Sequence, residues 1–326
     1  MTLPTRPGMT LPLPGHLHAQ RDRLVELADL GYTDVWSAES DGPDAFTPLA
    51  LAAAWEPRLR LGTAIVPAFT RAPACMAQSV AAMADAAPGR FAFGVGSSSN
   101  VIVERWNGVP FAEPYKRVRD VVRFLKDAFS GEKVTHKYDT FEVDGFRLGV
   151  RPEVPPSVLV AALRPGMLRL AGREADGAII NWLSADDVTK VASVVRDAAG
   201  GEDREMVCRI FVCPSEDTET VREGAKRAIA AYLNVPVYAQ FHDWLGRGDT
   251  LRPMWEAWQA GDRKQAVAVI PDSLVDELVV HGSPAACRAG IQRYFDNGVT
   301  TSSLAIMPLA PLDHGQAIRD LSPSAG

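Results

Sequence analysis

RLRLGTAIVPAFTRAPACMAQSVAAMADAAPGRFAFGVGSSSNVIVERWNGV, residues 58–109, is the stretch of sequence that decides the fold. Two apolar runs typical of strands, residues 59–66 and 90–96, flank a run with helical character at residues 73–86. Each strand-like run ends in small or polar residues. The pattern predicts a strand–helix–strand unit whose strand ends leave room for a flat ligand.

The same alternation continues along the rest of the chain. Each of the first seven strand-like runs is followed by a helical pattern, and an eighth run closes the series. The eight runs cover residues 9–13, 33–38, 59–66, 90–96, 158–162, 177–181, 206–213 and 303–307. This order predicts an α/β fold, a (β/α)₈ TIM barrel, as one domain over residues 1–326. A doubly wound sheet is the alternative, but no GxGxxG motif follows the first run.

Two segments interrupt the alternation. Residues 131–156 alternate in polarity and hold several glycines and prolines, which predicts a β-hairpin insertion. Residues 236–271 show no strand pattern and predict a helical insertion after a late strand. That segment holds Trp244, Trp255 and Trp258, whose helical spacing suits packing, with a substrate-binding wall as the alternative.

Composition restricts the classes of function. The net charge of −6 argues against nucleic acid as a partner, because neutralising phosphates requires a basic face. Four cysteines form no CxxC pair and six histidines form no HExxH motif, so we predict no metal site. No apolar run approaches a membrane span and no signal-like segment begins the chain. We therefore expect a cytoplasmic protein, without a membrane partner, that acts on a small molecule.

In a (β/α)₈ barrel the ligand lies at the carboxyl ends of the strands. The residues that follow the second to sixth strands are the candidates. They are Glu39 and Ser40, residues 64–68, residues 97–100, residues 163–166, and Asn181 with Trp182. In the loop at residues 161–167, Pro165 opens a helix whose free N–H groups suit a phosphate, and Arg164 adds a cation. An ordinary strand-to-helix turn is the alternative reading of this loop.

Five segments together resemble a known family. They are GYTDVWSAES (31–40), LRLGTAIVP (59–67), PACMAQSVAAMADAAPGRFAFGVGSSS (73–99), VIVERWNGVPFAEPYKRVRDVVRFLK (101–126) and AALRPGMLRLAGREADGAII (161–180). The chain resembles the luciferase-like monooxygenase superfamily, specifically its coenzyme F420-dependent oxidoreductase branch. The resemblance implies hydride transfer between the deazaflavin F420 and a small organic substrate, in a homodimer.

The resemblance also implies roles for particular residues. A non-proline cis peptide at Ala64–Ile65 lies behind the central ring of the cofactor, and the loop at residues 161–167 holds the phosphate. The end of the fourth strand lies beside the ring and the ribityl chain. The implied cofactor-binding set is Ala64, Ile65, Gly96, Ser97, Ser98, Ser99, Ala162, Leu163, Arg164, Pro165, Gly166, Met167 and Asn181.

The chain departs from the family at two positions. Relatives that oxidise alcohols or sugar phosphates carry histidine where this chain has Ser40, and the sugar-phosphate enzymes carry glutamate where it has Ser99. Without these proton-handling groups, we expect reduction of an activated acceptor by F420H₂. Glu39 and Ser40 are then the candidate catalytic residues. An FMN-dependent luciferase-like monooxygenase and a non-catalytic F420- or flavin-binding protein remain as alternatives.

Overall fold

Eight parallel strands close into a barrel in the computed structural model, which describes residues 3–325. The barrel strands are β1 (Gly8–Leu11), β2 (Asp34–Ser37), β3 (Arg60–Thr63), β5 (Phe91–Gly96), β8 (Ser157–Ala161), β9 (Gly177–Asn181), β10 (Glu205–Cys213) and β12 (Thr301–Ile306). Four further strands lie outside this circle: β4 (Val66–Pro67), β6 (Val134–Lys137), β7 (Glu142–Phe146) and β11 (Val280–His281). Pairing of β9 with β10 and of β12 with β1 completes the circle. The predicted (β/α)₈ TIM barrel is therefore confirmed.

Helices alternate with these strands and surround them. They are α1 (Arg21–Asp29), α2 (Phe46–Trp55), α3 (Pro73–Ala86), α4 (Pro114–Phe129), α5 (Pro165–Glu174), α6 (Ala185–Ala198), α7 (Thr218–Leu233), α8 (Pro236–Leu245), α9 (Gly248–Gln259), α10 (Arg263–Ala268), α11 (Asp272–Leu278), α12 (Pro284–Asp296) and α13 (His314–Asp320). Several begin at proline, which suits the first helical turn because the N–H that it lacks would have no partner there. A capping box opens α6, in which Ser184 and Asp187 exchange backbone and side-chain hydrogen bonds. Local capping thus fixes where the helices begin.

An ion cluster closes the amino-terminal end of the barrel interior. Arg60 donates to both carboxylate oxygens of Glu205, at 2.6 and 2.8 Å, and to Asp34 at 3.0 Å. Thr301 donates its hydroxyl to Glu205 at 2.9 Å. Above this cluster the buried Trp36 fills the middle of the barrel. Because the base and the middle are filled, only the carboxyl end is left to receive a ligand.

The two insertions fall in the predicted ranges. β6 and β7 pair as an antiparallel hairpin within residues 131–156, and α8, α9 and α10 occupy residues 236–271.

The third strand differs from the prediction, because the run at residues 59–66 divides into β3 and β4. No helix within residues 3–325 has the length and apolarity to cross a bilayer.

The three insertion tryptophans serve packing. Trp255 donates its indole N–H to the carbonyl of Leu233 at 2.9 Å, and both residues belong to the hydrophobic cluster beneath α9. Trp258 lies under the guanidinium of Arg263, and Trp244 packs on the main core. The packing interpretation is therefore confirmed over a substrate-binding wall.

A buried histidine fastens the insertion to the barrel. His242, on α8, has no exposed surface, and its Nε2 lies 2.8 Å from the carbonyl oxygen of Trp182 at the end of β9. A carbonyl oxygen only accepts, so Nε2 carries a proton and donates it. Burial, together with the nearby Arg247, lowers the pKa of His242 from 6.5 to about 4.

This lowered pKa predicts a pH dependence of stability. Between pH 6.5 and 4 the unfolded chain binds a proton at His242 that the folded chain does not, so stability falls as the pH falls through this range. The loss from this group approaches about 3 kcal/mol. We expect urea unfolding of His242→Gln to show a shallower decline in unfolding free energy with falling pH. His136→Gln, on the exposed hairpin, serves as the control, and equal slopes in all three proteins would contradict the prediction.

Candidate functional site

The peptide bond between Ala64 and Ile65 is cis, as the family resemblance implied. It lies between β3 and β4, at the carboxyl end of the barrel. Ala64 donates its N–H to the carbonyl of Ser37 at 2.6 Å, and Glu39 donates its N–H to the carbonyl of Ile65 at 3.0 Å. The end of β2 therefore fixes the position of this peptide.

Next to this peptide, the hydroxyl of Thr63 takes the place of a backbone partner for Gly94 of β5. Gly94 donates its N–H to Thr63 Oγ1 at 2.8 Å, and the same hydroxyl donates to the Gly94 carbonyl at 2.9 Å. A Cβ at Gly94 would lie 2.0 Å from the Thr63 carbonyl oxygen. A Cβ at Gly96 would lie 2.8 Å from Cβ of Ala161 and 3.1 Å from Ile65. Because the strands approach each other this closely, the surface formed by Ala64, Ile65, Gly96 and Ala161 carries few bulky side chains. We call this surface the neutral shelf.

The three serines after β5 have different surroundings. Ser99 is committed to the turn that follows, because its Oγ accepts from Ile102 N–H at 3.3 Å and its carbonyl from Val103 N–H at 2.9 Å. Ser98 has φ of 60°, in the left-handed region that few non-glycine residues adopt. Ser97 is half-buried, and its hydroxyl donates to the Ser98 carbonyl at 3.4 Å. Among residues 3–325, the hydroxyls of Ser97 and Ser98 are therefore less engaged than that of Ser99.

Glu39 and Ser40 diverge after β2. Glu39 is ion-paired with Arg71 and accepts a long hydrogen bond of 3.4 Å from Ala45 N–H. Ser40 is exposed and donates to Asp41 at 2.9 Å. The structure therefore places Glu39 against the neutral shelf and Ser40 at the solvent boundary.

Arg71 is a site residue that sequence reasoning missed. Its guanidinium lies 4.9 Å from the centre of the Phe46 ring, and its Nε is buried without a hydrogen-bond partner among residues 3–325. Its position shortly after β4 is the signal that marks it, since the loops after strands carry ligand contacts in this fold. A donor thus remains available beside Glu39.

The loop after β8 presents free backbone donors. The first helical hydrogen bond of α5 runs from Leu168 N–H to the Arg164 carbonyl, at 3.0 Å, so the N–H groups of Gly166 and Met167 precede it. A Cβ at Gly166 would meet nothing within 4 Å. Arg164 is exposed and hydrogen-bonded to Gln240 of α8, a link between the loop and the insertion that the sequence did not reveal.

The remaining candidates near this loop have structural neighbours. Ala162 is buried and donates its N–H to the Ile179 carbonyl at 2.9 Å, so it contributes backbone position and no polar group. Leu163 and Met167 pack against the main core. Pro165 occupies the first position of α5. The donors of this loop are therefore backbone amides and Arg164.

The opposite side of the mouth is aromatic. Trp182 stacks on Phe211 with ring centres 4.1 Å apart, and Tyr232 lies 5.0 Å from Trp182. Tyr238 hydrogen-bonds through its hydroxyl to the Asn181 amide at 3.2 Å. We call Trp182, Phe211, Tyr232 and Tyr238 the aromatic wall. Of the candidates after the sixth strand, Trp182 belongs to this wall and Asn181 contacts it through Tyr238.

Arg209 lies against the aromatic wall and was also missed. Its guanidinium carbon lies 5.3 Å from the centre of the Phe211 ring, and its Nε is buried without a hydrogen-bond partner among the described residues. Burial lowers its pKa, partly offset by the hydroxyls of Tyr232 and Tyr238. The available signal was an arginine inside an otherwise apolar strand pattern, which the sequence reading passed over.

These residues fit a flat ring that carries a phosphate. The neutral shelf offers a surface without side chains that would obstruct a ring, and the start of α5 offers free N–H groups to an anion. Buried donors without partners, Arg71 Nε among them, remain for the polar edge of a ring. Within residues 3–325 no cluster of His, Cys, Asp and Glu could hold a metal ion.

The sequence and the fold are similar to those of known proteins. A family model described as luciferase-like monooxygenase matches residues 1–301. The 5,10-methylenetetrahydromethanopterin reductase of Methanolobus tindarius is 25% identical over 297 residues, covering 86% of this chain and 87% of that protein.

Two solved structures share the fold across nearly their full length. The coenzyme F420-dependent tetrahydromethanopterin reductase from Methanopyrus kandleri superposes with a TM-score of 0.80 at 19% identity, covering 98% of both chains. An F420-dependent secondary alcohol dehydrogenase in complex with an F420–acetone adduct superposes with a TM-score of 0.79 at 16% identity, covering 99% of this chain and 100% of that chain.

The contact between Thr63 and Gly94 predicts a large effect of a small substitution. Gly94→Ala would place a methyl group against a backbone carbonyl that hydrogen bonds hold in place, so we expect a loss of about 2 kcal/mol or more in unfolding free energy. Gly149→Ala is the matched control, since its Cβ meets nothing within 4 Å. Denaturant unfolding measures both, and equal stability of the two variants would contradict the prediction.

Proposed function

The chain belongs to the luciferase-like monooxygenase family, and on that premise we propose that it is an oxidoreductase using coenzyme F420 with a small organic substrate. The observation that carries the proposal is the neutral shelf beside a helix start with free N–H groups. β3 and β8 are separated in the barrel by β5 alone, so the shelf and the phosphate-suited loop border one region of the mouth. A ring on the shelf and a phosphate on the loop belong to one elongated molecule.

In this proposal the protein binds and orients, and the bound deazaflavin supplies the hydride. Gly96 and Ala161 keep the ring close to the barrel wall, and Ser97 offers a hydroxyl at its edge. The N–H groups of Gly166 and Met167, with Arg164, hold the phosphate end. The pair of Glu39 and Arg71 lies beside the shelf, where it fixes polar ring atoms or moves a proton.

We infer that the favoured direction is reduction of an activated C=C or C=N acceptor. Oxidation of an alcohol needs a base for the hydroxyl proton, and neither Ser40 nor Ser99 titrates near neutral pH. Ser99 also accepts from Ile102 N–H, and Ser40 faces solvent. The proton for a reduction comes from water or from Glu39. The similar protein from Methanolobus tindarius is a reductase, which supports this direction, whereas the secondary alcohol dehydrogenase shares only the fold.

Two alternatives have their own support. The family description is that of a monooxygenase, and FMN differs from the deazaflavin at one ring atom, so an FMN-dependent monooxygenase is the second candidate. The serines at residues 40 and 99 favour the third, a cofactor-binding protein without catalysis. We also propose a homodimer formed through helices of the first half of the chain, as the resemblance implies.

Titration with both cofactors tests the assignment of F420. We expect F420 to bind more tightly than FMN. We also expect Arg164→Ala to weaken F420 binding by about 1 kcal/mol, near fivefold in Kd, because this contact is exposed and screened by water. Arg169→Ala, an exposed arginine further along α5, is the control. Tighter binding of FMN would reverse the cofactor assignment, and unchanged affinity in Arg164→Ala at low salt would remove Arg164 from the site.

A panel of enones, imines, alcohols and glucose 6-phosphate tests the direction. We expect reduction by F420H₂ to exceed oxidation by F420, and Glu39→Gln to lower the rate of reduction by about tenfold. The deazaflavin absorbance is the readout, and Glu132→Gln, on the surface before the hairpin, controls for the loss of a carboxylate. Rapid oxidation of an alcohol that Glu39→Gln leaves undiminished would overturn both the direction and the role of Glu39.

A further inference from the structure

We infer that the aromatic wall and Arg209 bind the carboxylate of a substrate that has a planar, apolar body. Arg209 is a cation inside the barrel for which residues 3–325 supply no anion. Among residues 3–325 its side chain makes no hydrogen bond and no ion pair. The reaction that this substrate undergoes rests on the proposed function. The recognition of its carboxylate rests on Arg209 and its neighbours alone.

Strand alternation places Arg209 inside the barrel. Glu205 joins the ion cluster at the base, Val207 packs in the interior with Trp36, and Phe211 stacks on Trp182 at the mouth. Residues at alternate positions of a strand face the same side, so Arg209 lies between Val207 and Phe211 on the inner surface. In register it stands opposite Asn181 of β9 and Ser303 of β12.

The position is distinct from that of the cofactor. Around the barrel the strands follow the order β1, β2, β3, β5, β8, β9, β10 and β12. β3 is therefore the third of the eight strands and β10 is the seventh. Arg209 therefore faces the neutral shelf across the width of the barrel. A ligand held by Arg209 would approach the open face of a ring lying on that shelf, which is where a hydride acceptor has to lie.

The unsatisfied groups of this interior are donors. Trp36 Nε1, Trp182 Nε1 and Arg209 Nε are each buried without a hydrogen-bond partner among the described residues. Burying a donor without a hydrogen-bond partner is unfavourable, and burying a charged donor without one is more so. A ligand that supplies acceptors and negative charge relieves this cost, whereas a cationic or purely donating ligand does not.

The charge and shape of the surroundings select the ligand. One guanidinium without a carboxylate partner matches a single negative charge, and its planar fork matches the two oxygens of a carboxylate. The hydroxyls of Tyr232 and Tyr238 lie near the guanidinium, and the Tyr238 hydroxyl hydrogen-bonds to Asn181. The rings of the aromatic wall suit a flat unsaturated or aromatic body beside the carboxylate.

Calorimetric titration with trans-cinnamate and its neutral isostere trans-cinnamamide tests the inference. The titrations use the protein loaded with oxidised F420 and the cofactor-free protein. We expect cinnamate to bind at least about tenfold more tightly than cinnamamide. In Arg209→Met the two probes should bind within about threefold of each other, and Arg209→Lys should keep part of the preference. Arg147→Met, which removes an exposed arginine from the hairpin region, should behave as the wild type does.

Stability provides a second readout that separates binding from folding. Because Arg209 is a partly buried charge without a partner, Arg209→Met should melt at the same temperature as the wild type or higher. A lower melting temperature would show that Arg209 serves the fold and would overturn the inference.

The remaining outcomes are equally decisive. Equal binding of the two probes to the wild type, or an intact preference in Arg209→Met, overturns the inference. Loss of F420 affinity in Arg209→Met, with cinnamate binding intact, assigns the cation to the cofactor and also overturns it. If F420 fails to bind but the cofactor-free protein still prefers cinnamate through Arg209, the proposed function fails and the carboxylate site stands.

Discussion

The close approach of β3 to β5 is the constraint on which the rest of the candidate site depends. Thr63 uses its side-chain hydroxyl to satisfy both backbone groups of Gly94, and this leaves the chain beyond Thr63 free to turn away from the sheet ladder. Only glycine at residue 94 permits the approach, because any Cβ would overlap the Thr63 carbonyl. The neutral shelf follows from this arrangement, since Gly96 and Ala161 must also be small where the same strands meet.

Side chains fill the lower part of the barrel interior, and this determines where a ligand is able to lie. The buried ion cluster around Arg60 and the ring of Trp36 occupy the lower and middle levels. A barrel of eight strands has an interior just large enough for side chains, so a binding site arises only where the side chains become small. Here they become small on the side of β3, β5 and β8, while β9 and β10 keep large and polar ones.

The mouth is therefore asymmetric in chemistry. One side is neutral and flat, bordered by the free amides at the start of α5. The other carries aromatic rings and the guanidinium of Arg209, which has no ion-pair partner among residues 3–325. The helical insertion supports the second side, because His242 bonds to the Trp182 carbonyl and Tyr238 bonds to Asn181. It also reaches the first side through Gln240 and Arg164. The insertion thus connects the two regions that the proposed cofactor and the proposed acid occupy.

The sequence by itself determined the elements and their order. Hydrophobic periodicity, together with proline and glycine at the ends of elements, predicted the eight strands, the hairpin and the helical insertion, because these signals act within a few residues. Resemblance added the cis peptide at Ala64–Ile65. The long third strand was predicted without its division, since the hydroxyl of Thr63 meets Gly94 only once two strands are adjacent. Arg71 and Arg209 were not predicted as site residues, because the sequence does not show whether an arginine has an anionic partner. Only the closed barrel decided that, by bringing Glu39 to Arg71 across 32 residues and by giving Arg209 tyrosines and a phenylalanine for neighbours instead of a carboxylate.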